Sequence, residues 1–213
     1  RQIPAMYIAD GHHRAASAAR TRDEMRARSL PGTPLGDGAG ASTFLAVAFP
    51  DNQVQVLPYN RIVKDLAGLS TEGFLEAVGT RFQVAPGPAV PAGRGEVSMY
   101  LEGGWYSLRP RVAPPGGDQV AALDVSVLQD TVLSPLLGIG DVRSDKRIDF
   151  VGGARGTTEL ESLVTSGRAA VAFSLFPVRV TDLMEISDTG GIMPPKSTWF
   201  EPKLRDGLLS HVI

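Results

Sequence analysis

Ala5-Met6-Tyr7-Ile8-Ala9-Asp10-Gly11-His12-His13-Arg14-Ala15-Ala16-Ser17-Ala18-Ala19 predicts a strand, a tight turn and a helix. The first five residues form a short apolar run, Asp10-Gly11 is turn chemistry, and the alanine-rich run suits a helix from Arg14 to about Arg28. The junction packs a carboxylate, a guanidinium and two of the chain's three histidines into five residues. At a helix start the backbone N–H groups have no helical partner, so an anion, above all a phosphate, is expected there. The alternative is a helix capped by Asp10 beside two surface histidines. Three polar side chains directly after a buried strand are a costly way to build a cap, which favours the anion. A metal is the weaker reading, because Asp10, His12 and His13 diverge and His211 is the one other imidazole.

The downstream pattern mixes strands and helices, so the fold class is α+β or α/β, a mixed sheet with flanking helices. Residues 30–42 hold a proline- and glycine-rich stretch and are expected to be a mobile surface loop. Residues 43–49 and 53–57 predict a hairpin turned by Pro50-Asp51-Asn52, and residues 71–79 a helix. A second hairpin is expected over 97–101 and 105–108 around Glu102-Gly103-Gly104. A helix should run from Asp124 to Leu137 and stop at Gly138. Residues 147–151 read as a strand, followed by a helix with a Thr158-x-x-Glu161 capping box. The unbroken apolar run 169–176 predicts a buried strand, 180–187 a short helix, and 208–213 a last strand.

Composition narrows the function classes. The chain has 213 residues, 43% hydrophobic and 21% charged, with a formal net charge of −2, and no basic stripe suited to nucleic acid. No apolar run approaches the length of about 20 residues needed to span a bilayer, and a cytoplasmic protein is expected. With no cysteine, disulfides, thiolate zinc sites and cysteine nucleophiles are excluded. The organisation expected is a single domain over 1–213 or the C-terminal part of a longer, two-lobed protein.

A second cluster, Met193-Pro194-Pro195-Lys196-Ser197-Thr198-Trp199-Phe200-Glu201-Pro202-Lys203, places two lysines, two hydroxyls and two aromatics on a proline-stiffened loop. It suits a phosphate and a base or substrate, or else a surface loop whose Trp199 and Phe200 plug the core. Asn60 and Arg61 point into a site or sit at a solvated strand end. Gly152-Gly153-Ala154-Arg155-Gly156-Thr157 reads as a loop-to-helix junction rather than a phosphate loop, because no Gly-Lys-Ser/Thr follows. Asp10, Asp124, Glu159, Glu161, Glu185 and Asp188 are acids able to act as a base or to hold magnesium, and spacing does not choose among them.

Tyr7 to Arg14, Tyr59-Asn60-Arg61-Ile62-Val63 and Met193 to Leu204 together resemble the domain-of-unknown-function 1015 family. The resemblance runs along essentially the whole chain and implies the C-terminal half of members about twice as long. The Asp-Gly-His-His-Arg turn also resembles the signature turn of the ParB/sulfiredoxin-like superfamily, which binds nucleotide phosphates and includes partition proteins, sulfiredoxin and free serine kinases. That likeness implies Gly11, His12, His13 and Arg14 on phosphate, with Asp10 orienting a histidine or assisting a metal. Lys196, Ser197, Thr198 and Lys203, with Asn60 and Arg61, are then expected to bind phosphate or substrate. The implied activity is phosphoryl transfer or hydrolysis on a small metabolite, such as the free amino acid serine, with ATP or ADP and Mg²⁺. His12, His13 and Asp10 would be its catalytic residues. The alternative is a nucleotide-sensing regulatory module without turnover.

Overall fold

The computed structural model describes residues 3–28, 40–114, 117–205 and 207. The expected loop 30–42 therefore lies mostly outside the described residues, as does the expected strand 208–213. The chain divides into two compact units, Arg1–Gln55 with Phe200–Ile213, and Val56–Trp199.

In the first unit, helix α1 (His12–Arg28) begins two residues earlier than its sequence suggests and ends where expected. None of its residues is buried. Its exposed pairs, Arg22 with Asp23 at 3.0 Å and Arg28 with Glu24 at 3.8 Å, add little stability. The strand expected at 5–9 is not formed, nor is the one at 43–49. A strand exists through ladder hydrogen bonds, and neither run meets a partner strand among the described residues. Pro50 instead leads into a 3₁₀ turn, Asp51–Gln53, so the predicted hairpin is replaced by this turn and a three-residue strand β1 (Gln55–Leu57).

The second unit is built on six strands: β2 (Tyr59–Val63), β3 (Phe82–Pro86), β4 (Val97–Leu101), β5 (Gly104–Pro110), β6 (Ile148–Gly152) and β7 (Val171–Leu175). They are ordered β3-β5-β4-β7-β2-β6, and every neighbouring pair is antiparallel. This arrangement is α+β rather than α/β. All five residues of β7 are buried, Ser174 among them, which explains a run that is apolar at its other four positions. Val171, Phe173 and Leu175 face one core with Val97, Met99 and Leu101 of β4; Ala172 faces the other with Ile62 and Tyr100.

Helices α2 (Thr71–Gly79), α3 (Asp124–Leu128), α4 (Gly156–Thr165) and α5 (Val180–Asp188) supply the covering layers. Phe74 and Val78 of α2, Val125 and Leu128 of α3 and Ile186 of α5 join the larger core, and Leu160 and Leu163 of α4 the smaller. The start of α2 follows from Ser70, whose hydroxyl accepts from the Gly73 N–H at 3.1 Å. The β4–β5 hairpin turns through Glu102 and Gly103, both at positive φ, the backbone that Gly favours and two-residue hairpins require. Strand β8 (Trp199–Glu201) follows where the chain returns to the first unit.

Two details differ from expectation. The predicted helix 124–137 is α-helical only to Leu128 and then widens into a π turn, Gln129–Leu133, where the Ser134 N–H reaches the Gln129 carbonyl at 2.9 Å. The Thr158/Glu161 capping box is not made, because α4 starts at Gly156, and Glu161 instead accepts from the Trp105 indole at 2.7 Å.

Gly152, on edge strand β6, lies under Trp199: a Cβ there would come within 2.5 Å of the indole ring. Gly152→Ala should cost about 1–3 kcal/mol through overpacking, read by urea denaturation against wild type.

Candidate functional site

In the first unit, Gly11 has φ +88° and hands the chain into α1. The Asp10 carboxylate folds back onto this turn, Oδ1 accepting from the Gly11 N–H at 2.8 Å. Its other oxygen, Oδ2, meets the Lys203 ammonium at 2.9 Å. The Lys203 hydrogen bond, outweighing partial burial, holds the Asp10 carboxyl below the usual carboxylate range. Arg14 lies back over the same turn, its guanidinium 3.4 Å from where a Cβ on Gly11 would stand.

The first turn of α1 contains His12, His13 and Arg14 and no acid. All three are exposed. Acidic residues stabilise a helix start, and basic ones sit against the partial positive charge of the free N–H groups. The helix start therefore carries backbone donors, two imidazoles and a guanidinium within its first turn. Asp10 is occupied in shaping that turn.

The remaining residues expected at the site lie in the second unit. Asn60 is buried, and its Oδ1 accepts from the Leu175 N–H at 3.1 Å, locking β2 to the end of β7. Arg61 is 1% exposed. Its register places it opposite Phe173 on one side and Phe150 on the other, in the middle of an otherwise apolar row. The guanidinium donates to the Tyr59 carbonyl at 2.6 Å and the Lys196 carbonyl at 3.2 Å, and lies 5.6 Å from the centre of the Phe150 ring. Its Nε has no hydrogen-bond partner. Burial pushes this guanidinium down to about 9, still protonated at neutral pH.

Lys196 itself adopts φ +55°, and its ammonium stands over the Tyr59 and Phe150 rings, 5.5 and 6.0 Å from their centres. Its Nζ is 3.5 Å from the Tyr59 hydroxyl. Ser197 is buried and Thr198 half-buried. The buried Arg61 thus fastens the Lys196 backbone to β2. Of the second sequence cluster, Lys203 is the residue brought against the Asp10–Arg14 turn, through its bond to Asp10. Among the described residues no group of three or more His, Asp or Glu side chains could hold a metal ion.

A family model described as a protein of unknown function, DUF1015, matches residues 1–126. The chain belongs to the DUF1015 family. The matched stretch contains the Asp10–Arg14 turn and Tyr59 to Val63, and stops before the Met193 to Leu204 cluster; it does not extend along the whole chain. Among curated proteins none matches. Solved structures similar to this member include a free serine kinase in complex with AMP, with 18% identity and a TM-score of 0.46 over 91% of this chain and 66% of that one. A variant of free serine kinase in complex with ADP gives 19% identity and a TM-score of 0.43, with 91% and 66% covered. A conserved hypothetical protein from Pyrococcus furiosus gives 17% identity and a TM-score of 0.46, with 93% and 72% covered. The chain thus spans just under two thirds of the length of the free serine kinase chain in complex with AMP.

Two outcomes follow for this family member. Lys203→Met should raise the Asp10 pKa toward the ordinary carboxylate value, read by carbon NMR of the side-chain carboxyl. Because the folded value is lowered, the stabilisation from ionised Asp10 is present above the usual carboxylate range and is lost as pH falls through the lowered value. Arg61→Lys keeps the charge but loses the planar fork that reaches two carbonyls, and should destabilise the protein by about 1–3 kcal/mol in denaturant titration.

Proposed function

We propose that the Asp10–Arg14 turn binds the phosphates of ATP or ADP and that the protein transfers or hydrolyses a phosphoryl group on a small metabolite, with a free amino acid such as serine as the candidate acceptor. The observation that carries this reading is the helix start with three basic residues and no acid in its first turn. A bound phosphate offsets both the helix dipole and this clustered basicity. It also accepts the N–H groups that no side chain caps among the described residues. The resemblance of Asp-Gly-His-His-Arg to the ParB/sulfiredoxin-like turn supports the same assignment.

In this reading Arg14, which forms no salt bridge among the described residues, takes phosphate oxygens together with the backbone N–H groups of the turn. Catalysis is mainly positioning and charge neutralisation. His12 or His13 removes the proton of the attacking hydroxyl as the new oxygen–phosphorus bond forms and the bond to the departing nucleotide breaks. Asp10 keeps the turn in shape through Gly11 and Lys203. The described residues offer no acidic cluster for Mg²⁺, so no step is assigned to a protein-held metal.

One observation favours a sensor without turnover: the turn's single carboxylate is already paired, which removes it as a base. Phosphorus NMR separates the two readings. AMP, ADP and ATP, each with magnesium and L-serine, are mixed with the protein, and binding is followed by thermal shift. Nucleotide-dependent stabilisation that Arg14→Ala weakens at least roughly tenfold is expected, with a new phosphomonoester signal that His12→Ala or His13→Ala slows. Binding without a new signal assigns the sensor. No stabilisation by any nucleotide rejects the phosphate site.

A further inference from the structure

A narrow cleft opens in the second unit between the end of β7, the start of α3 and the loop that follows α5. Tyr59, Arg94, Asp124, Asp182 and Ser197 give it its polar lining, and Leu175 to Val178 form an apolar wall. Its inner part takes a group the size of a water molecule.

The charges in this cleft are unequally matched. Asp182 is paired twice, with Arg94 at 3.0 Å and Arg179 at 2.6 Å, and also accepts the Arg179 N–H at 3.0 Å. Asp124 is half-buried and accepts one hydrogen bond, from the Gly95 N–H at 2.8 Å. It makes no ion pair among the described residues; burial, the largest influence on it, pushes its carboxyl up, while the Gly95 hydrogen bond and the more distant Arg94 guanidinium pull it the other way. A partly desolvated carboxylate with an unused oxygen is destabilised until a cation or donor reaches it.

An independent feature points into the same space. The Ser197 side chain, 7% exposed, lines the cleft and forms no hydrogen bond among the described residues. Buried hydroxyls are ordinarily bonded, and one left open to a cleft is placed for a ligand or an ordered water.

We propose that this cleft binds the primary ammonium group of a small amine or amino acid, with Asp124 as its counter-ion and the Ser197 hydroxyl as a second acceptor. An ammonium head is about the size of water, donates three hydrogen bonds and needs acceptors. Asp124 and Ser197 supply these. With Asp182 already paired, Asp124 is the lining carboxylate left for a ligand, and it suits a cation better than the phosphate expected for Ser197 from sequence. The assignment does not depend on the phosphate turn, which belongs to the other unit.

The test is titration of the full chain with ethanolamine, L-alanine and tetramethylammonium at matched ionic strength, followed by amide NMR. Ethanolamine or L-alanine should bind saturably, and the comparison of the two separates an amine from an amino acid. Tetramethylammonium, which is too bulky and has no N–H, should not bind. Asp124→Asn keeps a carbonyl oxygen for the Gly95 N–H and should weaken binding at least roughly tenfold; Ser197→Ala, a milder change, should weaken it several-fold. Saturable binding that both variants retain, equal binding of tetramethylammonium, or no binding of either primary amine overturns the proposal.

Discussion

The sheet unit depends on enclosing β7 on both faces. Once Val171, Phe173 and Leu175 are buried on one side and Ala172 on the other, both sides need a covering layer. Helices α2 and α3 provide one and α4 the other. The antiparallel neighbours β4 and β2 must then present apolar residues in phase with β7, since slipping the register by one residue would exchange the two faces. Met99 opposite Phe173 and Tyr100 opposite Ala172 keep that phase.

Arg61 is the exception that this scheme tolerates. It occupies a position in the Met99, Phe173, Phe150 row where an aliphatic side chain would pack without desolvating a charge. The guanidinium is accommodated by two backbone carbonyls and an aromatic ring, with no carboxylate among its bonds. What it achieves is a fixed connection between β2 and the segment carrying Lys196, Ser197 and Thr198. A hydrophobic replacement could strengthen the core while releasing that segment.

Much of this architecture was legible in the residues. The apolar run of β7, the apolar side of α2 and the Glu102-Gly103 turn each have a local cause, and each element formed where that cause predicts. Residues 5–9 and 43–49 misled because a short apolar run reports a capacity to pair, while pairing also needs a partner. Strand β3 was hidden by Pro86, which is compatible with a strand end. The π turn has no local signature. At the candidate sites, Gly11 and the basic residues after it marked the turn, but the choice of Lys203 for Asp10 required the fold. Asp124 was one of six acids that spacing could not rank; the cleft, the Gly95 hydrogen bond and the missing ion pair distinguish it.

The two tryptophans of the chain stand in different surroundings. Trp105 packs with the α4-side core and donates to Glu161, whereas Trp199 covers Gly152 and meets the Tyr59 ring edge-on at 5.3 Å. Each indole is thus a built-in fluorophore for a different part of the sheet unit. Replacing either one by phenylalanine leaves a single emitter, so loosening of the α4 layer and of the Tyr59 region can be watched separately in the same unlabelled protein.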